Sequence, residues 1–104
     1  CQRAHGAGFV TWVGVREDGF RITAGQEDVV HYRSSSHTTR SFCGRCGSSM
    51  FCNGDKHENI IDITMANLHG GIDRDVKAHV YYDCRARWLE VNDDLRKLGG
   101  EGGT

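Results

Sequence analysis

Short segments of alternating apolar and polar residues dominate the chain. Phe20, Ile22 and Ala24 are separated by polar residues, and 61–65 and 80–83 show the same alternation. A period of two places every second side chain on one face of a strand, so these segments predict half-buried strands. Further predicted strands cover 9–15, which is apolar on both faces, and 29–33, 38–42 and 48–52. The pattern predicts about seven strands in total.

Turn-forming residues separate the predicted strands. Clusters rich in Gly, Asn, Asp and Ser occur at 16–19, 24–28, 34–37, 53–55 and 69–73. Short strands at this spacing are typical of an all-β domain built from a small sandwich, barrel or folded sheet.

Helix is predicted only near the two ends of the chain. Residues 1–5 predict the last turn of a helix, and 93–98 predict a short one. We predict one domain over 1–95, followed by a flexible glycine-rich tail at 96–104.

Length and charge exclude several classes of protein. The chain has 104 residues, which is typical of one domain, and its 13 Lys and Arg against 14 Asp and Glu give a net charge of −1. The arginines are scattered, so the basic stripe of a nucleic-acid-binding protein is missing. No apolar run approaches the roughly 18 residues of a membrane span. The first residue is Cys1 rather than Met, which predicts that the sequence is part of a longer or processed chain.

The five cysteines favour a metal site over disulfides. A secreted, disulfide-stapled domain usually has an even number of cysteines, so we predict a cytoplasmic protein. The stretch "CGRCG" at 43–47 places Cys43 and Cys46 in a glycine-rich turn between two predicted strands. Such a turn directs two thiolates at one metal ion, and closed zinc sites use four thiolate or imidazole ligands.

Three other interpretations of this turn are weaker. A redox CxxC normally opens a helix, whereas "GSSMF" follows here. A disulfide spanning two residues would stabilise little, and two ordinary apolar thiols would not require the flanking glycines. Metal binding by Cys43 and Cys46 is therefore the favoured hypothesis.

The remaining ligands are not evident from spacing. Cys52 shares a strand face with Met50, and Cys84 follows a predicted strand, so both favour structural roles. The six histidines show no metal-binding spacing, although one of them could close a site. Trp12 and Trp88 favour core or rim positions over a substrate platform.

Four stretches together resemble one family of enzymes. They are "CQRAHGAGFVTWVGV" at 1–15, "YRSSSHTTRSFCGRCGSSMF" at 32–51, "DITMANL" at 62–68 and "HVYYDCRARWLEVNDDL" at 79–95. Their order and spacing are similar to the glutathione-dependent formaldehyde-activating enzymes, a family that includes the centromere protein V type of domain. The resemblance implies a β-tent fold, an all-β architecture of short antiparallel strands.

The resemblance also implies two zinc ions per complete chain. A structural zinc would be held by Cys43 and Cys46 together with an earlier CxC motif. A catalytic zinc would be held by a CxCxxC motif whose last cysteine matches Cys1. The other cysteines of both motifs would precede residue 1, so we predict several tens of residues upstream. Cys52 and Cys84 match no ligand position of the family.

The implied reaction adds glutathione, or another small thiol, to formaldehyde or a related aldehyde. The product is S-hydroxymethylglutathione, and the enzyme class is a carbon–sulfur lyase. Arg3 and His5, beside Cys1, could contact an anionic substrate or could be helix-surface residues. The alternative is a non-catalytic, zinc-stabilised β-tent binding module. No nucleic-acid or membrane partner is expected.

Overall fold

The computed structural model, which describes residues 1–55, 59–70 and 72–100, contains a five-stranded antiparallel sheet. The strand order is β1-β5-β4-β3-β2. The strands are β1 (Trp12–Arg16), β2 (Val29–Arg33), β3 (Thr38–Cys43), β4 (Ser49–Gly54) and β5 (Ile60–Thr64). The sheet lies in one of two compact units, Thr11–His69; the other unit combines Cys1–Val10 with Gly70–Thr104.

Strand pairing explains how the sheet unit buries its core. In the β1–β5 ladder, Val13 lies opposite Ile63 and Val15 lies opposite Ile61. Val13 and Ile61 are both buried, at 5% and 6% exposure. Alternate residues of a strand point to the same face, so these apolar side chains share one face of the sheet. Burying them there removes apolar surface from water, which stabilises the fold.

An aromatic cluster covers one face of the sheet beside this core. His31, Ser41 and Phe51 occupy matched positions on three adjacent strands. The Phe51 ring meets Phe20 edge-on at 5.0 Å between centroids, and His31 at 6.3 Å. Nδ1 of His31 lies 2.7 Å from the hydroxyl of Ser41, which is 2% exposed. This hydrogen bond satisfies a hydroxyl that burial would otherwise penalise.

The second unit contains little regular structure. Its described residues form a short α-helix, α1 (Gln2–His5), a 3-10 turn at Tyr82–Cys84, and two parallel strands, β6 (Ala78–His79) and β7 (Arg96–Lys97). Nε2 of His79 lies 2.8 Å from a carboxylate oxygen of Asp93, which joins β6 to the segment before β7. This hydrogen bond lowers the pKa of Asp93.

The predicted all-β class is confirmed. Strands predicted at 29–33, 38–42, 48–52 and 61–65 are present within a residue or two, and so is the helical turn at 1–5. The strand predicted at 9–15 begins three residues later, at Trp12.

Three predicted elements are wrong. Residues 20–24 form no strand, because the Phe20 side chain packs on Phe51 while its backbone lies outside the sheet. No strand forms at 80–83: β6 ends at His79, and Tyr81 has a φ of 53°, which is incompatible with extended backbone. The helix predicted at 93–98 is replaced by β7, which pairs with β6.

Two predictions reach beyond the described residues. The turn predicted at 69–73 includes residue 71, and the tail predicted at 96–104 overlaps β7 and extends over 101–104. The single domain over 1–95 stays a prediction. No helix in the described ranges is long and apolar enough to cross a membrane.

Candidate metal centre

The turn between β3 and β4 holds Cys43 and Cys46 side by side. The Cys43 N–H donates to the carbonyl of Ser48 at 2.9 Å, and the Gly47 N–H donates to the carbonyl of Cys43 at 2.7 Å. Gly47 has a φ of 81°, a left-handed conformation that glycine adopts without strain. These bonds close the turn on itself, and the Cys43 side chain lies within hydrogen-bonding reach of the Cys46 thiol.

Gly44 anchors this turn against the start of β2. Its N–H donates to the carbonyl of Asp28 at 2.7 Å. A Cβ at this position would lie 2.9 Å from Cγ2 of Val30 and 3.1 Å from that same carbonyl oxygen. This close approach explains why position 44, directly after Cys43, is glycine rather than a larger residue.

The environment of Cys46 favours its thiolate. Its thiol donates to the Ser48 hydroxyl across 3.2 Å, and when the thiol ionises this hydroxyl can turn and donate to the sulfur. Hydrogen bonds from the Ser48 side chain, the Ser48 backbone and the Cys43 side chain lower the pKa of Cys46, in that order of size. Cys46 is exposed and Cys43 is half-buried. An accessible, readily ionised thiol is the form that binds zinc.

The donor set of this turn fits half of a tetrahedral zinc site. Two adjacent thiols account for two of the four ligands that a closed zinc site needs. Within residues 1–55, 59–70 and 72–100, no three His, Cys, Asp or Glu side chains come together as a metal site. The described residues therefore supply a two-thiol half-site.

Cys52 has the opposite environment to Cys46. It lies in β4, between Arg40 on β3 and Asp62 on β5. Burial, and then the negative charge of Asp62, raise its pKa, and Arg40 offsets this only in part. A half-buried thiol that resists ionisation is a poor metal ligand.

These environments predict an order of thiol reactivity. With the protein treated with a chelator at neutral pH, we expect iodoacetamide to modify Cys46 several-fold faster than Cys52, because the thiolate is the nucleophile. Peptide mass spectrometry over time measures both rates. Ser48→Ala should slow the modification of Cys46 and leave Cys52 unchanged. Equal rates at the two cysteines would contradict this account.

Cys1 lies in the other unit of the chain. It is exposed and directly precedes α1, where its carbonyl accepts the His5 N–H at 3.0 Å. Arg3 and His5 occupy the last turn of this helix. Cys84 is also exposed, and its carbonyl accepts a hydrogen bond from the Gln2 side chain at 3.0 Å.

The two tryptophans differ in burial. Trp12 is half-buried in β1, opposite Thr64. Trp88 is 72% exposed, although its ring edge lies directly over Gly8, where a Cβ would be 3.1 Å from it.

Sequence reasoning missed Ser48 as part of this centre. Its carbonyl and hydroxyl contact both cysteines of the turn. One feature of the sequence could have indicated this role. Ser48 is a hydroxyl residue directly after Gly47, so it is the first residue after the turn that can pair with Cys43.

Comparison with protein families matches residues 1–84 to the family described as "Glutathione-dependent formaldehyde-activating enzyme". The match includes Cys1, Cys43 and Cys46. Comparisons with curated proteins and with solved structures find no match.

Proposed function

The chain belongs to the glutathione-dependent formaldehyde-activating enzyme family, and we propose that it is a zinc-dependent enzyme that joins a thiol to an aldehyde. Glutathione and formaldehyde are the proposed substrates. The observation that carries the proposal is the paired thiol turn at Cys43 and Cys46, within a family match that also includes Cys1. The odd number of cysteines supports the cytoplasmic location that we propose.

The proposed reaction forms one carbon–sulfur bond. The glutathione sulfur attacks the carbonyl carbon of formaldehyde, and the carbonyl π electrons move to oxygen. That oxygen takes the proton that the thiol releases, so the product is S-hydroxymethylglutathione and no oxidant is needed. The reverse reaction breaks the same bond, which makes the enzyme a carbon–sulfur lyase in class.

Each cysteine has a distinct role in this proposal. Cys43 and Cys46 hold a structural zinc, and Cys1 is one ligand of a second, catalytic zinc. When bound, zinc supplies a Lewis acid that favours the thiolate form of a sulfur ligand at neutral pH. Cys1 is exposed, as a ligand beside an open substrate position must be.

A second candidate function is a zinc-stabilised binding module without catalysis. It is supported by the two-thiol turn at Cys43 and Cys46, because a structural zinc held there would stabilise the fold without requiring a catalytic site. A structural site needs only to close around the metal, whereas a catalytic site must also keep an open position.

The decisive experiment measures glutathione-dependent consumption of formaldehyde together with bound zinc. We expect zinc-dependent activity that Cys1→Ser reduces at least about 100-fold, while Cys84→Ser, a matched change at an exposed cysteine, leaves it intact. Zinc binding without activity in the unmodified protein would establish the binding module instead. Full activity of Cys1→Ser would remove Cys1 from the proposed site.

A further inference from the structure

Two polar side chains at the end of β5 hold the start of β4. Nδ2 of Asn67 donates to the Ser49 carbonyl and to the Thr64 hydroxyl, each at 2.7 Å. The Thr64 hydroxyl in turn lies 3.1 Å from the carbonyl oxygens of both Ser49 and Met50. Thr64 is 5% exposed, whereas Asn67 is exposed. We refer to Thr64 and Asn67 together as the β5 clasp.

The β5 clasp binds carbonyl groups beside a β-bulge. Between β3 and β4, Ser41 lies opposite Phe51 but Phe42 lies opposite Ser49, so Met50 is an extra residue in β4. On the other side of β4, the pairing with β5 consists of Phe51 with Ile63 and Cys52 with Asp62, so it begins after Met50. A bulge disrupts ladder hydrogen bonds locally, and a carbonyl left without a partner costs free energy. The clasp supplies donors to these carbonyls and so stabilises the bulge.

This bulge lies directly next to the cysteine turn. Ser48 immediately precedes Ser49, and its carbonyl accepts the Cys43 N–H while its hydroxyl contacts Cys46. The direction of the backbone at Ser49 therefore decides where Ser48 meets both cysteines. A change in the bulge would alter the positions of the two thiols without touching either of them.

We propose that Thr64 and Asn67 are positioning residues that set the placement of the Cys43 and Cys46 thiols through the bulge in β4. The inference rests on the proposed metal site at these two cysteines. It also gives a physical role to the "DITMANL" stretch, which contains both clasp residues at a spacing of three.

The test compares Thr64→Val and Asn67→Ala with the unmodified protein. Thr64→Val removes a hydroxyl at nearly constant shape, and Asn67→Ala changes an exposed residue, so this second variant should fold even if the first does not. Thr39→Val, the same change on β3 away from the bulge, is the matched control. Cobalt(II) is the probe, because its thiolate absorption reports both affinity and ligand geometry.

We expect the clasp variants to bind cobalt(II) about 10-fold more weakly, with an altered thiolate absorption band. Amide hydrogen exchange at Cys43 should accelerate, because its N–H donates to Ser48, while the Thr39→Val control should match the unmodified protein in both measurements.

The two measurements separate failure of this inference from failure of the metal site. If the unmodified protein binds no cobalt(II), the metal proposal fails, and exchange at Cys43 alone then decides whether the clasp positions the turn. If cobalt(II) binds the folded variants with unchanged affinity and absorption, the clasp has only a structural role and the inference is overturned.

Discussion

Replacing Cys43 with serine is expected to abolish the stabilisation of the protein by zinc. Binding to the folded state alone stabilises it by about 4 kcal/mol when free zinc is roughly 1,000 times its dissociation constant. A structural site contributes this energy only if its ligands converge, and Cys43 supplies one of the two adjacent thiols in the turn. Urea unfolding with zinc and with a chelator measures the difference directly. Cys46→Ser should act in the same direction.

Cys84→Ser is the matched control for this experiment. Cys84 is exposed and lies outside the cysteine turn, so the same change of sulfur to oxygen should leave the zinc effect intact. A Cys43→Ser protein that zinc still stabilises by the full amount would show that the turn is not the structural site. Loss of the zinc effect in Cys84→Ser would instead identify Cys84 as a ligand.

Ile61→Ala is expected to lower the free energy of unfolding by roughly 2–5 kcal/mol. Ile61 is 6% exposed and lies opposite Val15 in the β1–β5 ladder. Truncation removes buried methyl groups, so the free energy gained by transferring them out of water is lost. It also leaves a cavity that the paired strands cannot fill, and this cavity adds a second cost to the free energy of unfolding. Urea unfolding at constant zinc measures the change in free energy.

Ile60→Ala provides a control at the adjacent residue. Ile60 is 38% exposed, and its side chain points to the opposite face of β5. Its truncation should change the free energy of unfolding by no more than about 0.5–1 kcal/mol. If Ile61→Ala and Ile60→Ala lowered the free energy of unfolding by similar amounts, the face of β5 that contains Ile61 would not be the main buried face.

Hydrophobic alternation correctly predicted β5 at 61–65, whereas β2, β3 and β4 were predicted as runs bounded by turn residues. The same signal failed at 20–24, where the apolar residues serve packing rather than pairing, as Phe20 does against Phe51. It failed again near Tyr81, because alternation contains no information about a single residue with positive φ. Periodicity reports which side chains face apolar surroundings, and backbone pairing depends on a partner elsewhere in the chain.

The sequence by itself determined the all-β class, the family and the pair of cysteines in a glycine-bounded turn. These features are local: strand period, turn residues and a two-residue spacing between thiols require no knowledge of distant contacts. Only the tertiary structure decided how that turn is held. Ser48 contacts both cysteines, Gly44 packs against Val30, and Thr64 and Asn67 bind the bulge in β4. These contacts join residues up to 18 positions apart. The strand register brings those residues together, and no local sequence pattern specifies the register at a bulge.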